Sequence, residues 1–341
     1  MNFLHSLEHL ALVKVATEIF GNPEIREYER ELRSPFYFAR NELWEPFIIG
    51  KVPTSLFSIT TQEKLIGLFK PLSYELLMWR KDHSPILGPN ADQQINFCWK
   101  SEGTIDRLQT AKRVVHYEHF TITQRFTMAC YYWMTDEVVQ LWEKLLPSEY
   151  ENLMTYLGRM SLSVYGIDGI LISWIKWLTQ GAEREELYNY IFGLVEHLHH
   201  RVPPPDHLWR KLPTITVEQE LRFRVIHHSR SFLGRYYLSK MDTTQQMEFM
   251  KERPFSTLRL FLDWPLQYKF MEMIKYLSMH WDETGYYDIF SLIVREKIDR
   301  EFTDFNYKAL LKEIWLQCSS DVKEYARNRL DFERIRKYVS E

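Results

Sequence analysis

Helix caps and prolines, more than any catalytic motif, restrict what this chain can fold into. Ser, Thr, Asp and Asn repeatedly precede amphipathic runs of about 8 to 17 residues, and Pro or Gly closes them. Asn22-Pro23 ends a first run and starts PEIREYERE, with Pro23 as first helical residue. Thr54 opens TSLFSITTQEKLIGLFK, which stops before Pro71, and Pro71 opens PLSYELLMWRKDH. Thr104 heads IDRLQTAKRVVHYE, Thr121 or Thr123 heads QRFTMACYYWM, and Ser148 with Glu151 reads as a capping box. Residues 34–52 are mixed, broken by Pro35, Pro46 and Gly50, and only INFCWK (95–100) alternates like a strand.

The pattern predicts a mainly α protein. Short connections set sequential helices antiparallel, and no ankyrin or tetratricopeptide signature recurs. The expected architecture is an N-terminal helical module followed by an irregular, solenoid-like array of α-helical hairpins in two lobes. Two proline-rich breaks, SPILGPNADQQ (84–94) and RVPPPDHLWRKLPTIT (201–216), divide it into residues 1–83, 95–200 and 217–341.

Charge and composition exclude several classes. Lys and Arg number 43 against 46 Asp and Glu, a net charge of −3, so no global field draws nucleic acid. Hydrophobic residues at 45% and aromatic residues at 15% suit a packed interior rather than disorder. Cys98, Cys130 and Cys318 form no CxxC pair, there is no Asn-x-Ser/Thr sequon, and the N-terminal stretch carries Glu8, His9 and Lys14. These point to free thiols, no signal peptide and a cytoplasmic protein, with the nucleus also open. GIDGILISWIKWL (166–178) carries Asp168 and Lys176 and is short for a membrane span, so a buried helix is expected there.

Chemistry-bearing motifs are sparse. EHLHHR (196–201) puts Glu196 and His200 four apart, but the His-Glu-x-x-His order of a zincin is missing; no metal or other cofactor is expected. His227-His228 point apart on a helix, EREE (183–186) reads as a solvated helix start, and GIDGI lacks the third glycine of a dinucleotide loop. No catalytic set emerges. Trp44, Trp264, Tyr286 and Tyr287 fall in expected loops, where they would fill seams or anchor a partner.

SLEHLALVKV (6–15) is the one stretch suggestive of a function. Leu7, Ala11 and Val15 are four apart and share a helical face, which is either a buried stripe or a hook for a partner. Ser6, Leu7, Ala11 and Val15 also match the short box by which ubiquitin-ligase receptors grip elongin C, and Val52-Pro53 followed by Leu56 resembles a cullin box. The arrangement resembles the entry module of receptors of the von Hippel–Lindau-box type, over roughly residues 5–70. It departs from that pattern in having Ala11 where Cys is commoner, and in a long gap between the boxes. GTIDRLQTAK (103–112), QRFTMACYYW and Leu141-Trp142 are similar to a family of all-helical proteins expanded in arachnids. The first resemblance implies a non-catalytic receptor with elongin C and a cullin as partners. A plain helical scaffold, or an enzyme with a composite cleft, are the alternatives.

Overall fold

Side-chain caps start nine of the described helices. The computed structural model describes residues 5–53, 55–159, 167–180, 231–278 and 281–339, and the helices are numbered over those residues. Ser6 accepts from the His9 amide (3.1 Å) and starts α1, Leu7–Phe20. Asn22 accepts from the Glu24 amide and starts α2, Pro23–Glu31. Next come α3 (Asn41–Ile49), α4 (Ile59–Gly67, capped by Ser58) and α5 (Phe69–Leu87). Asp106 caps α6 (Arg107–His116), and Thr121 with Gln124 forms a capping box for α7 (Ile122–Tyr131). Then follow α8 (Thr135–Lys144), α9 (Pro147–Arg159), α10 (Ile167–Gln180), α11 (Ser231–Lys240), α12 (Thr243–Glu252) and α13 (Pro254–Leu262). The chain closes with α14 (Phe270–Leu277), α15 (Glu283–Ile293, continued by a π turn Val294–Ile298), α16 (Tyr307–Gln317), α17 (Ser320–Arg327) and α18 (Phe332–Val339). Each side-chain cap contributes about 0.5–2 kcal/mol.

The mainly α class is therefore as the sequence predicts. Among the described residues there is no strand, and the stretch 95–100 supplies only one antiparallel bridge, Trp99 to Ile105. Several local expectations shift. Asp106, not Thr104, caps α6, because the Thr104 hydroxyl donates to Glu102 (2.9 Å). At α9, Pro147 takes the first helical position, and Glu149 accepts from the Leu146 amide in place of the expected Ser148–Glu151 box. Pro71 lies within the first turn of α5, where its missing N–H costs nothing, so it separates no helices. The first linker shortens likewise, since α5 runs on to Leu87. Trp44 is in α3 and Tyr286 and Tyr287 are in α15, none of them in loops. The segments 181–230, including the 201–216 break, lie outside the described residues.

Contacts group the chain into two units that do not follow its order. One comprises the chain up to Met78, Trp99–Ile105 and Met241 onward; the other comprises Trp79–Cys98 and Asp106–Lys240. The expected limits at 83, 95, 200 and 217 follow chain order, whereas this grouping does not.

In the first unit, Phe20 of α1 meets Phe69 (5.9 Å between rings) and Trp99 (6.1 Å), while Phe36 stacks on Trp44 (5.1 Å). The buried Glu29 carboxylate accepts from the Phe36 amide (3.1 Å) and the Ser73 hydroxyl. Residues far along the chain close this unit. Asn41 donates its amide to Glu301 Oε2 (2.7 Å) and its side-chain nitrogen to the Glu301 carbonyl (3.0 Å). Lys70 Nζ donates to the Arg300 carbonyl. Trp264 Nε1 donates to the Gly103 carbonyl (3.1 Å), and Gly103 has φ 84°, with its Cα 's missing side chain leaving room for the Trp264 ring.

In the second unit, α7 packs against α6, α8 and α10. Trp174 of α10 is buried and donates Nε1 to the Cys130 carbonyl (3.0 Å). Arg107 bonds the buried Asp82 carboxylate (2.7 Å) and lies 3.7 Å over the Phe232 ring. His83 joins the Trp79 carbonyl and the Tyr132 hydroxyl, both at 2.7 Å, so a buried polar row runs through an aromatic core.

A Cβ on Gly67 would lie 2.8 Å from the Thr303 carbonyl oxygen and 2.9 Å from its carbon, both backbone. Gly67→Ala should therefore unseat the 299–306 loop and lower stability by about 1–3 kcal/mol. Urea unfolding checks this, and a variant as stable as the parent counts against the seating.

Candidate docking surface

Helix α1 is two-faced, and its inner face is not the stripe of the elongin-type box. Val13, Ala16, Thr17 and Phe20 are buried, and at 100° per residue they cluster on one side. Leu7, Ala11 and Val15 fall on the opposite side: Leu7 is 85% exposed, Ala11 is exposed and Val15 is half-buried. The Ser6 cap fixes where this outer face begins. An exposed Lys14–Glu18 pair (2.5 Å) borders it, and Glu8 reaches Lys64 of α4 (2.6 Å). Such surface pairs contribute little, with a median near 0–1 kcal/mol.

The second predicted segment divides. Val52 is buried, donating its amide to the Ile48 carbonyl at the end of α3, so its side chain belongs to the core. Pro53 is exposed and Leu56 is 73% exposed, with Ile59 beside it at 75%. Thr54 lies outside the described residues. The surface that the two boxes offer is thus Leu7, Ala11 and part of Val15 from α1, and Pro53 and Leu56 ahead of α4.

The first turn of α1 also rests on a histidine pair that belongs to no sequence motif. His5 and His9 stack at 4.6 Å, His9 lies 5.2 Å from Trp264, and His5 lies 4.9 Å from Tyr268. The i, i+4 spacing of His5 and His9 was the available signal; their partners lie far along the chain. Burial and the neighbouring His5 push His9 down to about 4. Burial also lowers His5, with Glu102 opposing it.

The remaining chemistry is sparse. Among the described residues no group of His, Cys, Asp and Glu is placed to hold a metal ion; EHLHHR and His227-His228 lie outside those residues. The three cysteines are unpaired, and burial pushes the Cys318 thiol up to about 11 and Cys130 well above its ordinary value, which suits inert thiols. Trp44 and Trp264 are buried, so they fill seams rather than await a partner. No helix among the described residues is long and apolar enough to cross a membrane. Comparison with protein-family models, with curated proteins and with solved structures finds no match to this chain.

The histidine pair gives α1 an acid sensitivity of definite sign. The packed state keeps both imidazoles neutral, whereas released histidines protonate near their ordinary 6.5. The attachment is therefore fully present above 6.5 and is lost as pH falls toward the His9 value of about 4. His9→Phe keeps the ring contact and removes the His9 part of the titration. Thermal melts from about pH 7 to about pH 5 should fall more steeply for the parent than for this variant. Parallel curves would dismiss the coupling.

Proposed function

We propose that this chain is a non-catalytic binding protein that lays the outer face of α1 into a groove on a partner protein. In its sharpest form the partner is elongin C, and the chain is a substrate receptor of an elongin–cullin ubiquitin ligase. The observation that carries this reading is Leu7: the large apolar residue of the box is 85% exposed, on the side of α1 opposite Val13, Ala16 and Phe20. A helix docking in a groove needs an anchor, a small residue for close approach, and a further apolar residue along the same face. Leu7, Ala11 and Val15 supply these in order. Burying a leucine side chain contributes about 1.5–3 kcal/mol, enough to make it a hot spot. Pro53 and Leu56 form the candidate cullin contact, without the side chain of Val52. On this reading the protein works in the cytoplasm, where its three thiols stay reduced.

The test compares elongin B–C binding with folding. Leu7→Ala removes the anchor and Ala11→Phe blocks close approach. Each should weaken binding at least tens-fold, while stability stays within about 0.5 kcal/mol because neither side chain is buried. Leu56→Ser should spare elongin binding and reduce cullin capture. Parent protein that fails to bind elongin B–C at micromolar concentration rejects the ligase role.

A further inference from the structure

The 299–306 loop ends beside two side chains that each leave one oxygen unmatched. Gln267 is buried in the turn Gln267–Lys269, and its Nε2 donates to Asp304 Oδ2 (3.0 Å). The Tyr307 hydroxyl donates to the same Oδ2 (3.1 Å). The other two oxygens, Gln267 Oε1 and Asp304 Oδ1, are shut off from solvent and have no hydrogen-bond partner. Two acceptors left over from one carboxyl–carboxamide pair are a costly arrangement if the carboxyl is ionised, since each loses its water for nothing.

Charge leads to the same place. The groups facing Asp304 are Lys297 on the π turn, Asp263 after α13, and Tyr307 on α16. Lys297 is the one cation among them, and its Nζ bonds Asp263 Oδ1 at 3.0 Å. With that ammonium engaged, two ionised carboxylates would leave this buried corner one negative charge in excess. A proton on one of them restores neutrality. Asp304 Oδ1 is shut off from solvent while the Asp263 side chain is 30% exposed, and burial pushes the Asp304 carboxyl up to about 6, against the pull of Lys297, the Tyr307 hydroxyl and its own backbone N–H.

We propose that Asp304 is a proton-operated latch: its protonated Oδ1 donates to Gln267 Oε1 while Oδ2 accepts from Gln267 Nε2, closing a ring of two hydrogen bonds that fastens the 299–306 loop. Loss of the proton opens one side of the ring and leaves an uncompensated charge in its place. The same loop carries Glu301 and Arg300, which bond Asn41 and Lys70, so the latch bears on how firmly the first unit is closed. The sign follows from the raised value: the stabilisation is full below the ordinary carboxyl value of 3.8 and is lost as pH rises through about 6.

Asp304→Asn tests it, because the Asn amide N–H stands where the carboxyl proton would, and the ring then forms at every pH. The histidine pair on α1 has the opposite pH dependence, so the readout is the difference in melting temperature between variant and parent. At about pH 4.5 the two should melt together, and at about pH 7.5 the variant should melt several degrees higher. A difference that is flat with pH, or a variant that melts lower at about pH 7.5, overturns the latch in favour of an ionised carboxylate held by Lys297. The unmodified protein gives a second measurement. The Asp304 side-chain carboxyl carbon, followed by NMR, should titrate near the value of about 6, and a carboxyl already ionised at about pH 4.5 also overturns the proposal.

Discussion

The 299–306 loop and the N-terminal helices hold one another across 230 to 260 residues of chain, through Lys70 on the Arg300 carbonyl and Asn41 on Glu301. Closing a loop of that length costs about 5 kcal/mol in chain entropy. Three hydrogen bonds return about 1 kcal/mol each, which does not suffice. Buried Phe302 and Tyr307, at about 1.5–3 kcal/mol each, tip the balance. The polar contacts then choose the register in which this apolar surface is buried. Gly67 is the matching concession in α4, since only a residue without a side chain admits the Thr303 backbone so closely. Lys70 shows how enclosed the seam is: burial draws its ammonium down to about 8 despite the carboxylates of Glu301 and Glu45.

Helix α1 takes its two faces from packing within the same unit. Its buried side packs into the aromatic core with Phe20, and its first turn rests on Trp264 and Tyr268 through His5 and His9. The outer side is left with Leu7 and Ala11, which no internal contact requires to be apolar. A helix held from within and apolar without is suited to present a fixed face to a partner, because little ordering remains to be done on binding.

The local signals in the sequence were the legible part. Pro23 opens α2 as the pattern predicts, and Thr121, one of the two candidates, caps α7, since a cap is a contact within four residues. Errors arose where a distant or competing contact decided. Thr104 was the cap the pattern named for α6, but the Trp99–Ile105 bridge and Glu102 draw it away and Asp106 takes its place. Leu7, Ala11 and Val15 showed a shared face, but spacing alone does not say whether a face turns in or out; Val13, Ala16 and Phe20 supply that answer only once Phe69 and Trp99 are in place. Val52 and Leu56 stood alike as apolar residues of the second box, and burial separates them. The meeting of Asp304 with Gln267 left no periodic trace, because neither residue belongs to an amphipathic stripe.

The division of the chain also bears on its synthesis. The unit made of Trp79–Cys98 and Asp106–Lys240 has all its parts once residue 240 has left the ribosome. The other unit has its first helices made before Trp79 but needs Met241 onward to complete its core. Phe20, Phe36 and Trp44 can meet Phe69 and Trp99 early, but Trp264 and Phe302 reach this unit only after the other has all its residues. In a vectorially made chain the Thr303 backbone therefore reaches Gly67 only after the other unit has all its residues, so the discontinuous unit is the last to close.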